Sequence, residues 1–300
     1  MMNKLLRLLR RSGPLTGKEI VESSGLDSYT AWRECTISDQ LRWQVVGRRY
    51  LRLDRRVTGY ARLSPSIMRE FLNYTVVGAA GDEEKVAFLA GRLADEICLI
   101  SRRKKELARE VIGRTIKNCE SGPLFEENAC IIIAGDVVYN MAHAEPRPEP
   151  STGELVRGSD LDIIVVAEKL PPTILARFDE LLYREKYNLL LNPAVKEEVD
   201  YVIKDLQAVE EQLKFNDFKA MIASKILDEG EFLYGSRVLY NRIKRLAEEA
   251  GVPAKLEKLE KEAQSGRLAA EKKLLTLANS PCTDELAALF YTTEEKEEIF

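Results

Sequence analysis

Two aspartates separated by a single residue stand at the start of an apolar run. Asp160 and Asp162 flank Leu161, and the β-branched residues 163–166 follow them. Such a run predicts a strand covered on both faces, and residues two apart in a strand point to the same side. Because Mg²⁺ prefers oxygen ligands and binds through one or two carboxylates plus substrate phosphates, the pair predicts a divalent-cation site. A strand that begins with two solvated aspartates is the alternative.

A second segment has the pattern that binds phosphate. The apolar residues 130–134 predict a strand, Gly135 follows it, and a helix is predicted to begin at Asp136. In this arrangement backbone N–H groups point outward, and the glycine lets a phosphate come close. Downstream, residues 198–203 alternate between polar and apolar, as a strand does, which would place Asp200 on a neighbouring strand as a third carboxylate.

These segments together resemble the nucleotidyltransferase superfamily of the DNA polymerase β type. The matching pieces are residues 134–136 (Ala-Gly-Asp), 159–163 (Ser-Asp-Leu-Asp-Ile) and 199–201 (Val-Asp-Tyr). Residues 226–235, an acidic, glycine-containing segment that ends in Leu-Tyr-Gly, resemble the close of many small members of the superfamily. The resemblance spans residues 128–240, and the two motifs Ser-Asp-x-Asp and Leu-Tyr-Gly are more specific together than either is alone.

The resemblance implies transfer of a nucleoside monophosphate from a nucleoside triphosphate to a hydroxyl of a nucleic acid or protein, with release of pyrophosphate. It implies two Mg²⁺ ions, with Mn²⁺ as a substitute, held by the catalytic residues Asp160, Asp162 and Asp200. The residues that it assigns to nucleotide binding are Gly135, Asp136, Ser159, Lys219 and Lys225, with Lys214 as a further candidate. For each lysine, an ordinary place on the surface is the alternative.

Two departures from the family pattern concern activity more than fold. Asp136 stands where the family usually has a serine, and its negative charge would repel phosphate unless a metal or a lysine intervenes. The spacer before Asp160 is about twice the usual length, because residues 144–153 form an insertion in which prolines alternate with charged residues. Such a sequence predicts an exposed loop, which would be either a lid or a neutral insertion.

The departures keep two other functions open. One is a DNA-binding transcriptional regulator that retains an inert or ligand-sensing nucleotidyltransferase scaffold. Against it, three retained carboxylates would repel one another in the absence of a metal. The other is modification of a partner protein, as in adenylylating antitoxins. The acceptor, which is nucleic acid, protein or none, distinguishes the three hypotheses.

The composition excludes several other classes of chemistry. The chain of 300 residues has one histidine, His143, so histidine-based nucleophilic catalysis and a zinc site are not expected. No apolar run approaches the ~20 residues that cross a bilayer, and the leucines near the N-terminus are interleaved with arginines, unlike a signal peptide. We therefore expect a cytoplasmic protein that does not bind a membrane. The cysteines are far apart and predict reduced core residues: Cys35, Cys98, Cys119, Cys130 and Cys282.

Positive charge is concentrated in the N-terminal part of the chain. Residues 1–78 contain 14 Lys and Arg against 7 Asp and Glu, whereas residues 79–300 contain 31 against 42. This polarity predicts that the N-terminal part contacts a polyanion. The alternative is that these basic residues face the acidic remainder of the same chain.

The same part has the pattern of three helices and a hairpin. Helices are predicted over 3–11, from a Thr16–Glu19 capping box to 23, and over 28–41, followed by strands at 45–53 and 59–63. This order resembles the winged helix-turn-helix domain, in which the third helix enters the major groove and the wing contacts phosphates. The residues that the resemblance assigns to nucleic acid are Tyr29, Arg33, Arg48, Arg49, Arg52, Arg55 and Arg56. A protein-binding winged helix is the alternative.

The predicted fold class is an α/β (α+β) multidomain chain. Its parts are a winged helix over 1–78, a helical connector over 79–120, a mixed-sheet nucleotidyltransferase-like core over 121–240 and a helical C-terminal domain over 241–300. Other helices are predicted at 64–77, 82–118, 172–191, 205–214 and 216–228, with breaks in the C-terminal helices at 251–253, 266 and 280–281. The long helices of the connector offer a surface for a homodimer.

Overall fold

The computed structural model describes residues 2–119, 122–149, 151–276 and 284–292. It is a mixed α/β structure with helices and several small sheets. Its described residues divide into two compact units, the first within 1–52, 61–97 and 260–300 and the second within 53–60 and 98–259. In the part of the chain that is described, no helix is both long and apolar enough to span a bilayer.

The elements up to residue 118 follow one another closely. They are α1 (Met2–Ser12), β1 (Leu15–Thr16), α2 (Gly17–Ser24), α3 (Ser28–Ile37), β2 (Leu41–Val45), β3 (Tyr50–Leu53), β4 (Ala61–Ser64), α4 (Ile67–Tyr74), β5 (Thr75–Ala79) and α5 (Glu83–Asn118). Strands β3 and β4 pair as a hairpin, and β1, β5 and β2 form a sheet in that order.

The remaining elements alternate between strands and helices before a helical end. They are α6 (Gly122–Asn128), β6 (Ala129–Ala134), a 3-10 turn (Gly135–Val137), β7 (Pro146–Pro148), β8 (Leu155–Arg157), β9 (Leu161–Ala167), α7 (Pro172–Leu191), β10 (Val199–Asp205), α8 (Leu206–Gln212), α9 (Phe218–Glu229), β11 (Glu231–Gly235), α10 (Arg237–Glu249), α11 (Val252–Thr276) and α12 (Asp284–Phe290). Strands β7 and β8 form a separate hairpin.

In the first unit, the predicted capping box fixes the start of α2. The backbone N–H of Thr16 donates to Glu19 Oε2 (2.7 Å), and the backbone N–H of Glu19 donates to Thr16 Oγ1 (3.3 Å). Gly25 ends the helix with φ 64°, in the left-handed region that favours glycine. The helices bury an apolar cluster that includes Leu9 and Ile20.

Two predicted helices of this unit are too long. The helix predicted over 28–41 ends at Ile37, because residues 41–45 form β2, where Leu41 pairs with Ala79 of β5. Residue 45 therefore belongs to β2, and the hairpin begins at Tyr50.

The helix predicted over 64–77 is the shorter α4. Its N-cap is Ser66, whose Oγ accepts a hydrogen bond from the backbone N–H of Arg69 (3.1 Å). It ends at Tyr74, because the β-branched residues that follow form β5, the central and fully buried strand of the sheet.

The second unit is built on a four-stranded sheet in the order β10-β9-β6-β11. Strand β9 is parallel to β10 and antiparallel to β6, and every residue of β6 is buried, as expected for a strand covered on both faces. Phe178 of α7 and Ile112 of α5 belong to the same apolar cluster as Ile131 and Val165 of the sheet. The strands predicted at 130–134, 163–166 and 198–203 and the helix at 172–191 are confirmed to within a few residues.

The helix predicted to begin at Asp136 is wrong. Only a 3-10 turn forms there, with the backbone N–H of Val138 donating to Gly135 O (3.2 Å). Asn140 then takes φ 54°, a left-handed conformation that interrupts a right-handed helix. The backbone N–H of Met141 closes the segment by donating to Asp136 O (2.9 Å).

The insertion predicted as an exposed loop is in part a hairpin. Arg147 of β7 pairs in register with Val156 of β8, and Arg147 and Glu149 are buried. Both strands of a two-stranded sheet are edges, where proline is tolerated because its missing N–H can face away from the partner strand. Residue 150 of this insertion lies outside the described residues.

The three predicted breaks and the predicted core cysteines have different outcomes. The break at 251–253 is confirmed by Gly251 (φ 67°), but the break at Gly266 is wrong, since α11 continues through it. The next residue, Arg267, donates to Pro65 O (2.8 Å) and so ties this part of α11 to the first unit's core. Cys98 is exposed on the outward side of α5, whereas Cys35, Cys119 and Cys130 are buried as predicted. The break predicted at 280–281 and Cys282 lie outside the described residues.

Candidate active site

The register of the central strands brings Asp162 and Asp200 side by side. Each is the second residue of its strand, and they are direct partners in the parallel β9–β10 pair. Residues in register on neighbouring strands project from the same face of a sheet. Asp160 lies one residue before β9, and the side chains of Asp160 and Asp200 are 38% and 52% exposed. The predicted carboxylates therefore share the beginning of β9 and β10.

Gly135 lies against the carboxylate of Asp162. Ala134, the last residue of β6, pairs with Asp162 of β9, and Gly135 then turns the chain with φ 72°. A Cβ atom at position 135 would lie 2.0 Å from Asp162 Oδ2, so only glycine leaves this space open. The backbone N–H of Gly135 donates to Glu229 Oε1 (3.4 Å), so a glutamate takes the bond that the family resemblance assigns to a phosphate oxygen.

Ser159 and Asp136 are joined by a hydrogen bond. The Ser159 hydroxyl donates to Asp136 Oδ2 (2.8 Å), and Ser159 is itself anchored to the backbone of His143, whose N–H donates to Ser159 Oγ (3.3 Å) and whose carbonyl accepts from Ser159 N (3.2 Å). Gly158 permits this approach, because a Cβ atom there would lie 1.8 Å from His143 O. The two residues predicted to bind nucleotide thus hold the loop that precedes Asp160.

Of the three candidate lysines, Lys225 is the one that reaches the site. It forms an ion pair with Glu229, which also accepts a hydrogen bond from the Tyr139 hydroxyl (2.5 Å). Lys214 instead forms an ion pair with Glu211 (2.6 Å), three residues before it in the sequence. Lys219 is exposed on the first turn of α9. Neither Glu229 nor Tyr139 was predicted as a site residue, because the hydrogen bonds that bring Glu229 to Tyr139 and Gly135 join segments about 90 residues apart in the sequence.

Two further cations approach the aspartates from elements that were not assigned to the site. Lys186 of α7 pairs with Asp200 Oδ1 (2.8 Å). Arg147 of β7 pairs with Glu198 Oε2 (2.7 Å) and lies 3.8 Å from Asp160 Oδ2. Each of these basic residues neutralises a carboxylate beside Asp162.

The crowding of carboxylates raises their pKa values. Burial raises the pKa of Asp162 well above its usual range, and the charges of Asp160, Asp136 and Glu229 raise it further. Burial also raises the pKa of Asp160; the Arg147 guanidinium opposes that rise, while the charge of Asp136 adds to it. The site therefore holds its negative charge against a free-energy cost that a cation would relieve.

The donor set fits a hard divalent cation in part. Asp160 and Asp162 supply adjacent carboxylate oxygens, beside a cradle at Gly135 that a Cβ atom would fill. Asp200 is held by Lys186, and the residues that the structure describes contain no group of three or more His, Cys, Asp or Glu side chains placed to hold a metal ion. Two carboxylates, completed by water and substrate phosphate, are a usual set for Mg²⁺.

The residues assigned to nucleic acid divide into two groups. Tyr29 donates its hydroxyl to Leu274 O (2.8 Å), and Arg49 is paired with Glu70 (2.6 Å) and Glu271 (3.1 Å), so both serve packing within the first unit. The hydrogen bond to Glu70 raises the pKa of Arg49. Arg33 is half-buried, while Arg48, Arg52, Arg55 and Arg56 are exposed, and the Arg55 guanidinium lies 5.2 Å from the centre of the Phe218 ring.

Comparison with models of known protein families and with curated proteins finds no match to this chain. Carboxylates that share the ends of two parallel strands, beside a glycine turn, are suited to hold a cation and a phosphorylated ligand together.

Replacing Gly135 tests the contact with Asp162. Gly135→Ala should lower the free energy of unfolding by about 1–3 kcal/mol more than Gly153→Ala, because the new methyl group overlaps the Asp162 carboxylate. Gly153 is the matched control, since it has a similar φ (71°) but open space around its Cβ position. Urea denaturation of both variants measures the difference, and equal losses would contradict the packing of Gly135 against Asp162.

The raised pKa of Asp162 predicts that this residue lowers the stability of the fold near neutral pH and not in acid. A carboxyl group whose folded pKa is raised stabilises the fold at pH values below its ordinary pKa, and this stabilisation is lost as the pH rises through the folded pKa. In the presence of a chelator, Asp162→Asn should therefore be more stable than wild type near neutral pH by about 1 kcal/mol or more, with the gap closing toward pH 4. Thermal unfolding across this pH range measures it. The exposed Asp95→Asn variant is the control, and a gap that widens in acid would contradict the prediction.

Proposed function

We propose that the second unit is a metal-dependent nucleotidyltransferase, which transfers a nucleoside monophosphate from a nucleoside triphosphate to a hydroxyl acceptor and releases pyrophosphate. The observation that carries the proposal is the register of β9 with β10, which sets Asp162 beside Asp200, with Asp160 one residue before β9. The close approach of Gly135 to the Asp162 carboxylate, which a Cβ atom would prevent, supports it further. Nothing in this arrangement depends on histidine or cysteine chemistry.

The three carboxylates divide between two roles in this proposal. Two divalent cations, when bound, would lower the pKa of the attacking hydroxyl and neutralise the leaving pyrophosphate. Asp160 and Asp162 would hold the cations, whose charge would relieve the repulsion between the two carboxylates. Asp200, the more exposed of the β9–β10 pair, accepts the proton of the hydroxyl once its bond to Lys186 opens.

The other residues of the site direct the triphosphate. Lys225 is the nearest basic candidate on α9, and its pairing with Glu229 keeps it beside Gly135. The Gly135 N–H and the Lys225 ammonium both contact the Glu229 carboxylate. A phosphate that took the place of this carboxylate at the Gly135 N–H would therefore also lie within reach of Lys225. The Asp136 carboxylate accepts a hydrogen bond from the Ser159 hydroxyl, which orients one of its oxygens toward the serine.

Nucleotide binding tests the proposal directly. Thermal stability is measured with each of the four nucleoside triphosphates, with and without Mg²⁺, on wild type and on Asp160→Asn/Asp162→Asn. One nucleotide should raise the melting temperature only with metal, and the variant should lose this rise, because a ligand that binds only the folded state stabilises it.

A matched double variant controls for the removal of charge. Glu248→Gln/Glu249→Gln removes two adjacent exposed carboxylates from α10 and should keep the full rise. The nucleotide that gives the rise is then used in labelled form to search for the acceptor, either nucleic acid or protein. If no nucleotide raises the melting temperature of the wild type, the nucleotidyltransferase hypothesis is rejected.

A DNA-binding regulator is the second candidate, and α1 favours it. The leucines of this helix (Leu5, Leu6, Leu8 and Leu9) are buried in the first unit's core, whereas Arg7, Arg10 and Arg11 are exposed. The helix has no acidic residue, so its outer side is purely basic. Since its apolar side is already covered, a polyanion fits this helix better than a lipid surface does.

Salt dependence of DNA binding tests the second candidate. Arg7→Gln/Arg10→Gln/Arg11→Gln should weaken binding to a labelled duplex uniformly across sequences and reduce the salt slope by about 1 for each phosphate that the variant no longer binds. Fluorescence anisotropy at several salt concentrations measures the slope. The control triple variant Arg102→Gln/Arg103→Gln/Arg109→Gln, which alters exposed arginines of α5, should leave the slope unchanged. Equal slopes for all three proteins would argue against α1 as a DNA-binding surface.

A further inference from the structure

The inserted hairpin directs one side chain inward. In β7, Pro146 and Pro148 are exposed and Arg147 between them is buried, the alternation expected of a strand. Prolines on both sides restrict the backbone of this short strand, so the outward and inward positions are well defined. The inward residue is an arginine, which a buried position admits only when its charge is paired.

Arg147 is held by three groups. Its Nε donates to Gly158 O (2.8 Å), one Nη lies 2.7 Å from Glu198 Oε2, and the same Nη lies 3.8 Å from Asp160 Oδ2. Glu198 is buried, so its charge depends on this guanidinium. Asp160, by contrast, is partly exposed and shares the guanidinium at longer distance.

Arg147 lies beside one of the two metal-binding candidates. Its guanidinium is 3.8 Å from Asp160 Oδ2, whereas none of the ion pairs between described residues involves Asp162. Of the two adjacent aspartates, Asp160 is therefore the one that Arg147 is placed to neutralise.

We propose that Arg147 is an internal counter-ion of the site, which competes with a divalent cation for Asp160 and thereby sets the affinity of the site for that cation. This inference rests on the proposed function, because it concerns the same pair of aspartates. The guanidinium neutralises Asp160 in the metal-free protein. If a divalent cation bound Asp160 and Asp162, Arg147 would keep its ion pair with Glu198 alone. That ion pair would hold the hairpin in place.

Mn²⁺ affinity, measured by calorimetry on the full chain, tests the counter-ion role of Arg147. Two successive substitutions are expected to change this affinity in opposite directions. Glu198→Gln leaves Asp160 as the remaining carboxylate of Arg147, so Mn²⁺ should bind more weakly than to wild type. Arg147→Met/Glu198→Gln removes the whole ion pair without leaving a buried charge, and Mn²⁺ should bind about tenfold more tightly than to Glu198→Gln, since the two variants differ only in the guanidinium beside Asp160. Arg147→Lys keeps the charge and should remain close to wild type.

A neighbouring ion pair supplies the matched control. Lys104 and Glu197 form a buried pair that is likewise linked to the hairpin, since Lys104 donates to Arg157 O (2.7 Å), and neither residue contacts Asp160. Lys104→Met/Glu197→Gln should leave Mn²⁺ affinity unchanged. If wild type binds Mn²⁺ but Arg147→Met/Glu198→Gln binds it no more tightly than Glu198→Gln does, the counter-ion role of Arg147 is overturned and the proposed function stands. No Mn²⁺ binding by wild type would overturn both.

Discussion

Negative charge crowded at the beginning of β9 is the constraint around which the second unit is arranged. Asp162 stands at its centre, and the basic residues of the neighbourhood each take a different carboxylate around it: Lys186 holds Asp200, Lys225 holds Glu229 and Arg147 is shared by Glu198 and Asp160. The basic residues therefore compensate the charges around Asp162, while burial and the neighbouring carboxylates raise the pKa of Asp162 itself. A site arranged this way retains attraction for a cation.

The sheet keeps this crowding from relaxing. Strand β9 is paired on both sides, and all of its residues except Asp162 are buried. A slip of one residue would move every side chain to the opposite face of the sheet, which would disrupt the packing of the isoleucines and valines and carry Asp162 away from its neighbours. The same register sets Ala134 and Asp200 on either side of Asp162. The free energy of apolar burial thus fixes the positions of charges that would otherwise move apart.

Local patterns of the sequence predict much of this framework, and long-range contacts explain what they miss. The Thr16–Glu19 capping box and the apolar runs of β6 and β9 are confirmed because neighbouring residues determine them. Arg147 and Glu229 were not assigned their roles, since their partners lie on other elements and no motif connects them. Likewise, helices were extended through residues that belong to β2 and β5, where pairing with another strand overrides helical periodicity. Both family resemblances stay predictions.

The order of the sheet also affects how the folded chain behaves among its own copies. Strand β10 is an edge of the four-stranded sheet, and an edge strand presents unpaired N–H and C=O groups to which another chain can add. Val202 on this strand is exposed, which would favour such addition. Charged residues, Asp200 and Lys204 among them, interrupt the strand on either side of it. The Asp200 carboxylate thereby discourages aggregation through this edge, so neutralising it would lower the solubility of the folded chain.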